Sequence, residues 1–290
     1  MIYETGLAWE EAKQKKVLLF AMSGLGKTHV SSMLRSGGDW FHYSVDYRIG
    51  TRYMDEYIVD NFKKAAMEVP FLANLLLSNS IYIASNITFE NLAPLSTYLG
   101  KPGDVSQGGI PFAEYCRRQR QHEAAEKSAL LDTPLFINRA LELYNYQNFV
   151  CDSGGSICEV VDPWNLADPV LKALSDNLMM VWIEGTDAHT QELVHRFDKS
   201  PKPMCYQPTF LLESWKEYQS ETGLNPDKVN PDDFIRWTYA RALAHRQPRY
   251  KQMAKWGITL HADDVKAVLS PKNFENLVAL ALDSKTVKSA

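Results

Sequence analysis

A continuous apolar run, Val17-Leu-Leu-Phe-Ala21, passes directly into Ala21-Met-Ser-Gly-Leu-Gly-Lys-Thr28, and this junction constrains the chain more than any other feature. The run has strand length and no polar alternation, the pattern of a strand covered on both faces. Residues after Gly26 have helical character up to the Gly37-Gly38 break, and WFHYSVDY then supplies a second strand rich in aromatic and branched residues. Strand, glycine loop, helix and strand make the start of a βαβ unit. Three more strand segments follow, NFVCD, LMMVWIE and GITLH. Helical segments separate them, near 166–177, in DAHTQELVHRF and in PDDFIRWTYARALAHRQPRYKQMA, and PKNFENLVALAL closes the chain. Residues 54–146 read as mostly helical, including LANLLLSNSIYIA and AEYCRRQRQHEAAEKSALL. The expected fold is α/β, a three-layer α/β/α sandwich with a mostly parallel five-stranded sheet and an inserted helical lobe.

The segment Ala21–Thr28 fits the Walker A pattern of P-loop nucleotide-binding proteins, with alanine at the first position. Its spacing lets successive backbone N–H groups curl around phosphate oxygens, and the helix N-terminus adds its positive end. Ser23, Gly24, Leu25, Gly26, Lys27, Thr28 and His29 are the expected cofactor-binding residues, and ATP the expected cofactor. Lys27 would reach the β and γ phosphates, and the Thr28 hydroxyl would ligate Mg2+.

Further segments, in order, resemble the shikimate kinase and gluconate kinase-like family of small-molecule kinases. Ser44-Val-Asp46 looks like the family's acidic segment, so the resemblance implies that Asp46 holds the acceptor hydroxyl and takes its proton. The other reading of Asp46 is a helix cap. Phe149-Val-Cys-Asp-Ser-Gly-Gly-Ser156 stands where the family places a Walker B strand and a glycine-rich substrate loop. Asp152 would then hold the metal with Thr28, taking over from the acidic position occupied here by Ser44, and Gly154 and Gly155 would let substrate approach the backbone. Lys202-Pro-Met204 is similar to the family's mobile lid, with Lys202 in place of the lid arginine and Arg196 able to supply the missing planar fork. A proline-stiffened surface loop is the other reading of Lys202. Arg246 matches the family's substrate-binding arginine, while Arg120, in competition with Arg118, matches the second. The catalytic set implied is Lys27, Asp46, Lys202 and Arg196.

More than a hundred residues separate Asp46 from Asp152, far more than a crossover helix needs. The expected division is a kinase core of residues 1–60 and 147–290, with 61–146 as a helical insertion over the acceptor site. The arginines point to a small, anionic acceptor, without distinguishing carboxylate from phosphate. The alternative is a P-loop ATPase serving as a nucleotide-dependent switch or binding module, with the lobe holding a protein partner.

Composition excludes other classes. Net charge is −4 and the basic residues are scattered, so no nucleic-acid face is expected. No apolar run approaches bilayer length, and the acidic N-terminus lacks signal-peptide features, which together imply a cytoplasmic location without membrane contact. Four cysteines, Cys116, Cys151, Cys158 and Cys205, form no C-x-x-C pair, and the seven histidines show no H-E-x-x-H or paired ligand spacing. No oligomeric state is legible.

Overall fold

The computed structural model describes residues 1–289, with side chains through 285. Its contacts divide the chain into two compact units. The first comprises Met1–Val45, Lys127–Pro201 and the residues from Arg236 onward; the second comprises Asp46–Glu126 and Lys202–Ile235.

The first unit holds one sheet of five strands: β1 (Lys16–Phe20), β2 (Trp40–Ser44), β3 (Asn148–Asp152), β4 (Met179–Glu184) and β5 (Ile258–His261). Their order is β2-β3-β1-β4-β5, and every pairing is parallel. The expected α/β class and five strands are therefore observed, with a sheet that is parallel throughout. Parallel strands need crossovers on both faces, which is why β1 runs from Val17 to Phe20 with no exposed residue. Leu19 pairs in register with Asp152, and Asp152 in turn with Ser44, so three strands end level. In open sheets of this kind ligands bind beyond the carboxyl ends of the strands, where the strand order reverses. Trp9, Trp40, Phe149, Phe274 and Tyr250 fill the largest buried volumes around the sheet.

Local signals set the helices of this unit. Asp168 caps Pro169–Asn177, its Oδ1 accepting from the N–H groups of Val170 and Leu171 at 3.0 and 2.9 Å. Thr186 and His189 form a reciprocal cap at the start of Asp187–Lys199.

The second unit contains the helices Asp55–Met67, Pro70–Leu77, Ala93–Leu99 and Pro208–Thr222. The helix Phe112–Leu131 is shared between units after Glu126. Its aromatic core stacks Phe112 on Trp215 at 4.4 Å, with Phe234 edge-on to Trp215 at 4.8 Å. The helical reading of LANLLLSNSIYIA holds only to Leu77. Asn79 takes φ 54°, which ends the helix, and residues 81–87 have no regular structure. Among the described residues no helix is long and apolar enough to cross a membrane.

Candidate active site

The glycine loop lies at the carboxyl end of β1, the middle strand. Gly24 (φ 88°) and Gly26 (φ 101°) both occupy the left-handed region that a Cβ penalises. Gly26 is the N-cap of the helix Lys27–Ser36 and contributes no side-chain hydrogen bond. The N–H groups of the first turn therefore face outward without a side-chain cap, as an anion site requires. Lys27 is buried and folds back over the loop, its Nζ donating to the carbonyls of Ala21 at 3.1 Å and Met22 at 3.4 Å. Leu25 points inward and Ser23 is exposed, as are Thr28 and His29. His29 Nε2 lies 3.4 Å from the Val268 carbonyl, an ordinary helix-surface contact.

Arg196 stands over this loop. A Cβ built on Gly24 would meet Leu193 Cδ2 at 2.9 Å and Arg196 Nη2 at 3.3 Å. The guanidinium is about half exposed, and its Nε lies 3.4 Å from Glu192 one turn earlier.

Asp152 ends β3 beside the loop and is 8% exposed. His42 Nε2 is 3.9 Å from its Oδ2. Burial, reinforced by Arg35, lowers the His42 pKa to about 4, so this imidazole brings no positive charge to Asp152 near neutral pH. Ser153 ties the strand end to β1, its backbone N and Oγ both donating to Leu19 O, at 3.2 and 2.9 Å. A Cβ on Gly155 would lie 3.4 Å from Ser23 N, so the two glycine loops abut.

Arg246 sits beneath the second loop, donating from Nε to Glu159 Oε1 at 2.6 Å and from Nη1 to Gly155 O at 3.2 Å. Tyr250, one turn on, places its hydroxyl 2.5 Å from Gly155 O and 3.2 Å from Ala21 O. Sequence reasoning places Tyr250 in the same segment as Arg246, Arg246-Gln-Pro-Arg-Tyr250, without giving it a role, and overlooks Glu159. Arg246 and Tyr250 stand four residues apart, on one helix face, and that spacing was the available signal.

The first unit thus brings together Ser23 to His29, Asp152, Gly154, Gly155, Arg196 and Arg246. The remaining expected residues belong to the second unit. Asp46 is half-buried in the short helix Val45–Arg48 after β2, and a π turn, Ile49–Tyr53, follows it. Such turns recur at functional sites. Arg118 bonds Glu114 at 2.7 Å, Asn61 Oδ1 at 3.0 Å and the Tyr98 carbonyl. Arg120 bonds Glu123 and, at 3.1 Å, Tyr206 O. Both arginines therefore brace the second unit itself. Lys202 is exposed and lines a cleft of about 820 Å³ with Lys101, Pro203 and Asp232, the last paired to Lys101 at 2.5 Å.

No protein-family model matches the chain, and no curated relative does. Among solved structures, a crystal structure of a shikimate kinase from Bacteroides thetaiotaomicron is similar at 13% identity. The match covers 95% of this chain and 99% of that one, with a TM-score of 0.36.

Proposed function

We propose that this protein is an ATP-dependent phosphotransferase that moves the γ-phosphate of MgATP to a hydroxyl of a small, anionic metabolite. The observation that carries the reading is the junction of β1 with the helix Lys27–Ser36. Two left-handed glycines, a helix start with no side-chain cap and a lysine folded over the loop carbonyls form a cradle for polyphosphate. In this reading Ser23 to His29 hold the nucleotide and Lys27 turns from the loop carbonyls to the phosphates.

Thr28 and Asp152 suit magnesium, a hydroxyl and a carboxylate being the hard oxygen donors it selects. When bound, the ion offsets charge on the phosphates during transfer. The chain's own groups supply the rest. Arg196, beside Gly24, presents a planar fork to charge developing on the transferred group, with Lys202 as a second cation. Asp46 orients the acceptor hydroxyl and takes its proton. Gly154 and Gly155 leave room for the acceptor; Arg118, Arg120 and Arg246 would have to exchange the bonds described above to reach it. The bonds of Arg246 favour a role in positioning the Gly155 loop.

The test is ADP release from MgATP against a panel of hydroxylated anions, run beside Lys27→Ala and Asp46→Asn. Turnover that depends on one acceptor, and is lost in both variants, is the expected result. Failure of the unmodified protein to bind nucleotide would sink the reading.

A second reading, a nucleotide-dependent switch, has one observation in its favour. The helix Pro70–Leu77 buries none of its side chains, and Phe71 and Leu77 are 70% and 73% exposed. Apolar exposure of this kind marks partner surfaces. Hydrolysis indifferent to every acceptor and to Asp46→Asn, yet abolished in Lys27→Ala, would select the switch.

A further inference from the structure

The second unit contains a group of side chains with no part in phosphate chemistry. His122, Glu126 and Cys205 each offer a ligand atom, and these atoms lie within 4.8 Å of one another. All three residues are buried: the Glu126 side chain is fully enclosed, and His122 and Cys205 are each 5% exposed. The first two stand four residues apart on the helix Phe112–Leu131, the spacing that turns two side chains to one face.

Cys205 arrives from a distant part of the chain, and its approach is fixed on both sides. Gln119 donates from Nε2 to Met204 O at 2.9 Å and accepts at Oε1 from Tyr206 N at 2.9 Å. Tyr115 donates to Met204 O at 3.2 Å, and Arg120 donates to Tyr206 O at 3.1 Å. The backbone is thus clamped immediately before and after Cys205, which sets its side chain opposite the next turn of the helix.

A second observation points to a ligand. Among the described residues His122 Nδ1 is buried without a hydrogen-bond partner, and Glu126 Oε2 stands 3.7 Å away, beyond hydrogen-bond range. An enclosed imidazole nitrogen left in this state costs free energy that a bound cation would recover.

We infer that His122, Glu126 and Cys205 form a binding site for a single zinc-like divalent cation, held by imidazole nitrogen, carboxylate oxygen and thiolate sulfur. This donor set selects a borderline-soft ion over magnesium or calcium, because thiolate sulfur is a poor ligand for hard cations. Tetrahedral zinc with bonds of these types separates its ligand atoms by roughly 3.4–3.7 Å, so closure from the present spacing asks for movements of about an ångström. The second oxygen of Glu126 or one water completes the coordination. The ion staples the segment around Cys205 to the long helix and makes the second unit's stability metal-dependent. It is independent of the phosphotransferase reading, and the pattern escapes a sequence scan because the third ligand lies more than seventy residues beyond the other two.

The experiment titrates cobalt(II), as a spectroscopic stand-in for zinc, into the chelator-stripped full chain. One equivalent should produce a near-ultraviolet thiolate-to-cobalt band with the intense visible bands of a tetrahedral site, and zinc should bleach both. Cys205→Ala should abolish the thiolate band. His122→Ala should weaken binding by more than the roughly 10–100-fold that loss of an outer-shell partner costs. Should either variant fail to fold, X-ray absorption of the zinc-loaded unmodified protein decides, with one sulfur and otherwise nitrogen or oxygen neighbours expected. Absence of a thiolate band at stoichiometric cobalt, its survival in Cys205→Ala, or a zinc shell without sulfur would each overturn the assignment.

Discussion

Arg246 and Glu159 form an ion pair, Nε to Oε1 at 2.6 Å, in which the carboxylate side chain is fully buried and the guanidinium 4% exposed. Burial opposes the charge on Arg246, yet the Glu159 carboxylate and its neighbours still raise its pKa above the ordinary value. Removing one member of such a pair strands the other, at a cost of about 3–5 kcal/mol. Arg246→Ala and Glu159→Gln should each lower unfolding free energy by that order in urea titrations. A loss under about 1 kcal/mol for Arg246→Ala would show that the pair contributes little and that this arginine is free to serve a ligand.

Gly24→Ala should separate cradle geometry from general strain. An L-residue at φ 88° is strained by about 1–2 kcal/mol, and the new methyl would also push against Leu193 and Arg196. Gly38, at φ 87° with open space around it, is the matched control. Calorimetry should find both alanine variants destabilised, Gly24→Ala by more because of its contact with Leu193, and a nucleotide affinity reduced at least tenfold only in Gly24→Ala. Equal affinities would remove the loop from phosphate binding.

Arg196 is half exposed and meets Glu192 in a solvated 3.4 Å contact, so Arg196→Ala should leave stability within about 0.5 kcal/mol of the parent. Turnover should behave differently. Loss of a preorganised donor to a developing charge costs about a hundredfold or more in kcat, and Arg196→Lys should restore part of it. Unchanged kcat in Arg196→Ala would pass the role to Lys202.

Alkaline stability offers a test away from the site. The Tyr3 hydroxyl donates to Gln14 O at 2.6 Å and accepts from Lys16 N at 3.0 Å. Burial raises its pKa to about 12, partly offset by the Lys16 bond. The unfolded chain ionises first, near the ordinary value of 10, so folded stability falls as pH rises from 10 towards 12. The loss should reach the order of 2–3 kcal/mol. Tyr3→Phe should start less stable and lose less over that window; parallel curves would mean that Tyr3 does not ionise with unfolding.

The five strands were legible because each is a short apolar run closed by a polar or glycine signal, and the loop from Ala21 to Thr28 because its chemistry is local in sequence. What escaped notice depends on partners far along the chain. The helix Pro208–Thr222 carries readable marks, proline at its first position and Leu211, Trp215 and Tyr218 at helical spacing, yet went unassigned between the proline-rich loop KSPKPMCYQP and the helical segment that begins at Pro231. Residues 202–235 fold with the second unit because Gln119 bonds Met204 and Tyr206, and because Asp104 N donates to Val229 O at 2.8 Å. No periodicity encodes such pairings. The carboxylate partners of Arg118 and Arg120 stand one turn away on the same helix, and the pairing of Arg120 with Glu123 is readable from that spacing; the distant partners, Asn61 and the carbonyls of Tyr98 and Tyr206, appear only in three dimensions.

The Tyr250 hydroxyl lies within hydrogen-bond reach of both the Gly155 and Ala21 carbonyls, one from each glycine loop. A single rigid ring therefore spans two segments that could otherwise breathe separately. Thermal opening of either loop has to strain or release the same phenol, so their fluctuations should be correlated, and amide hydrogens on both should exchange in one cooperative event. On the proposed reading, an acceptor against Gly155 would alter the mobility of the Ala21–Thr28 loop without touching it.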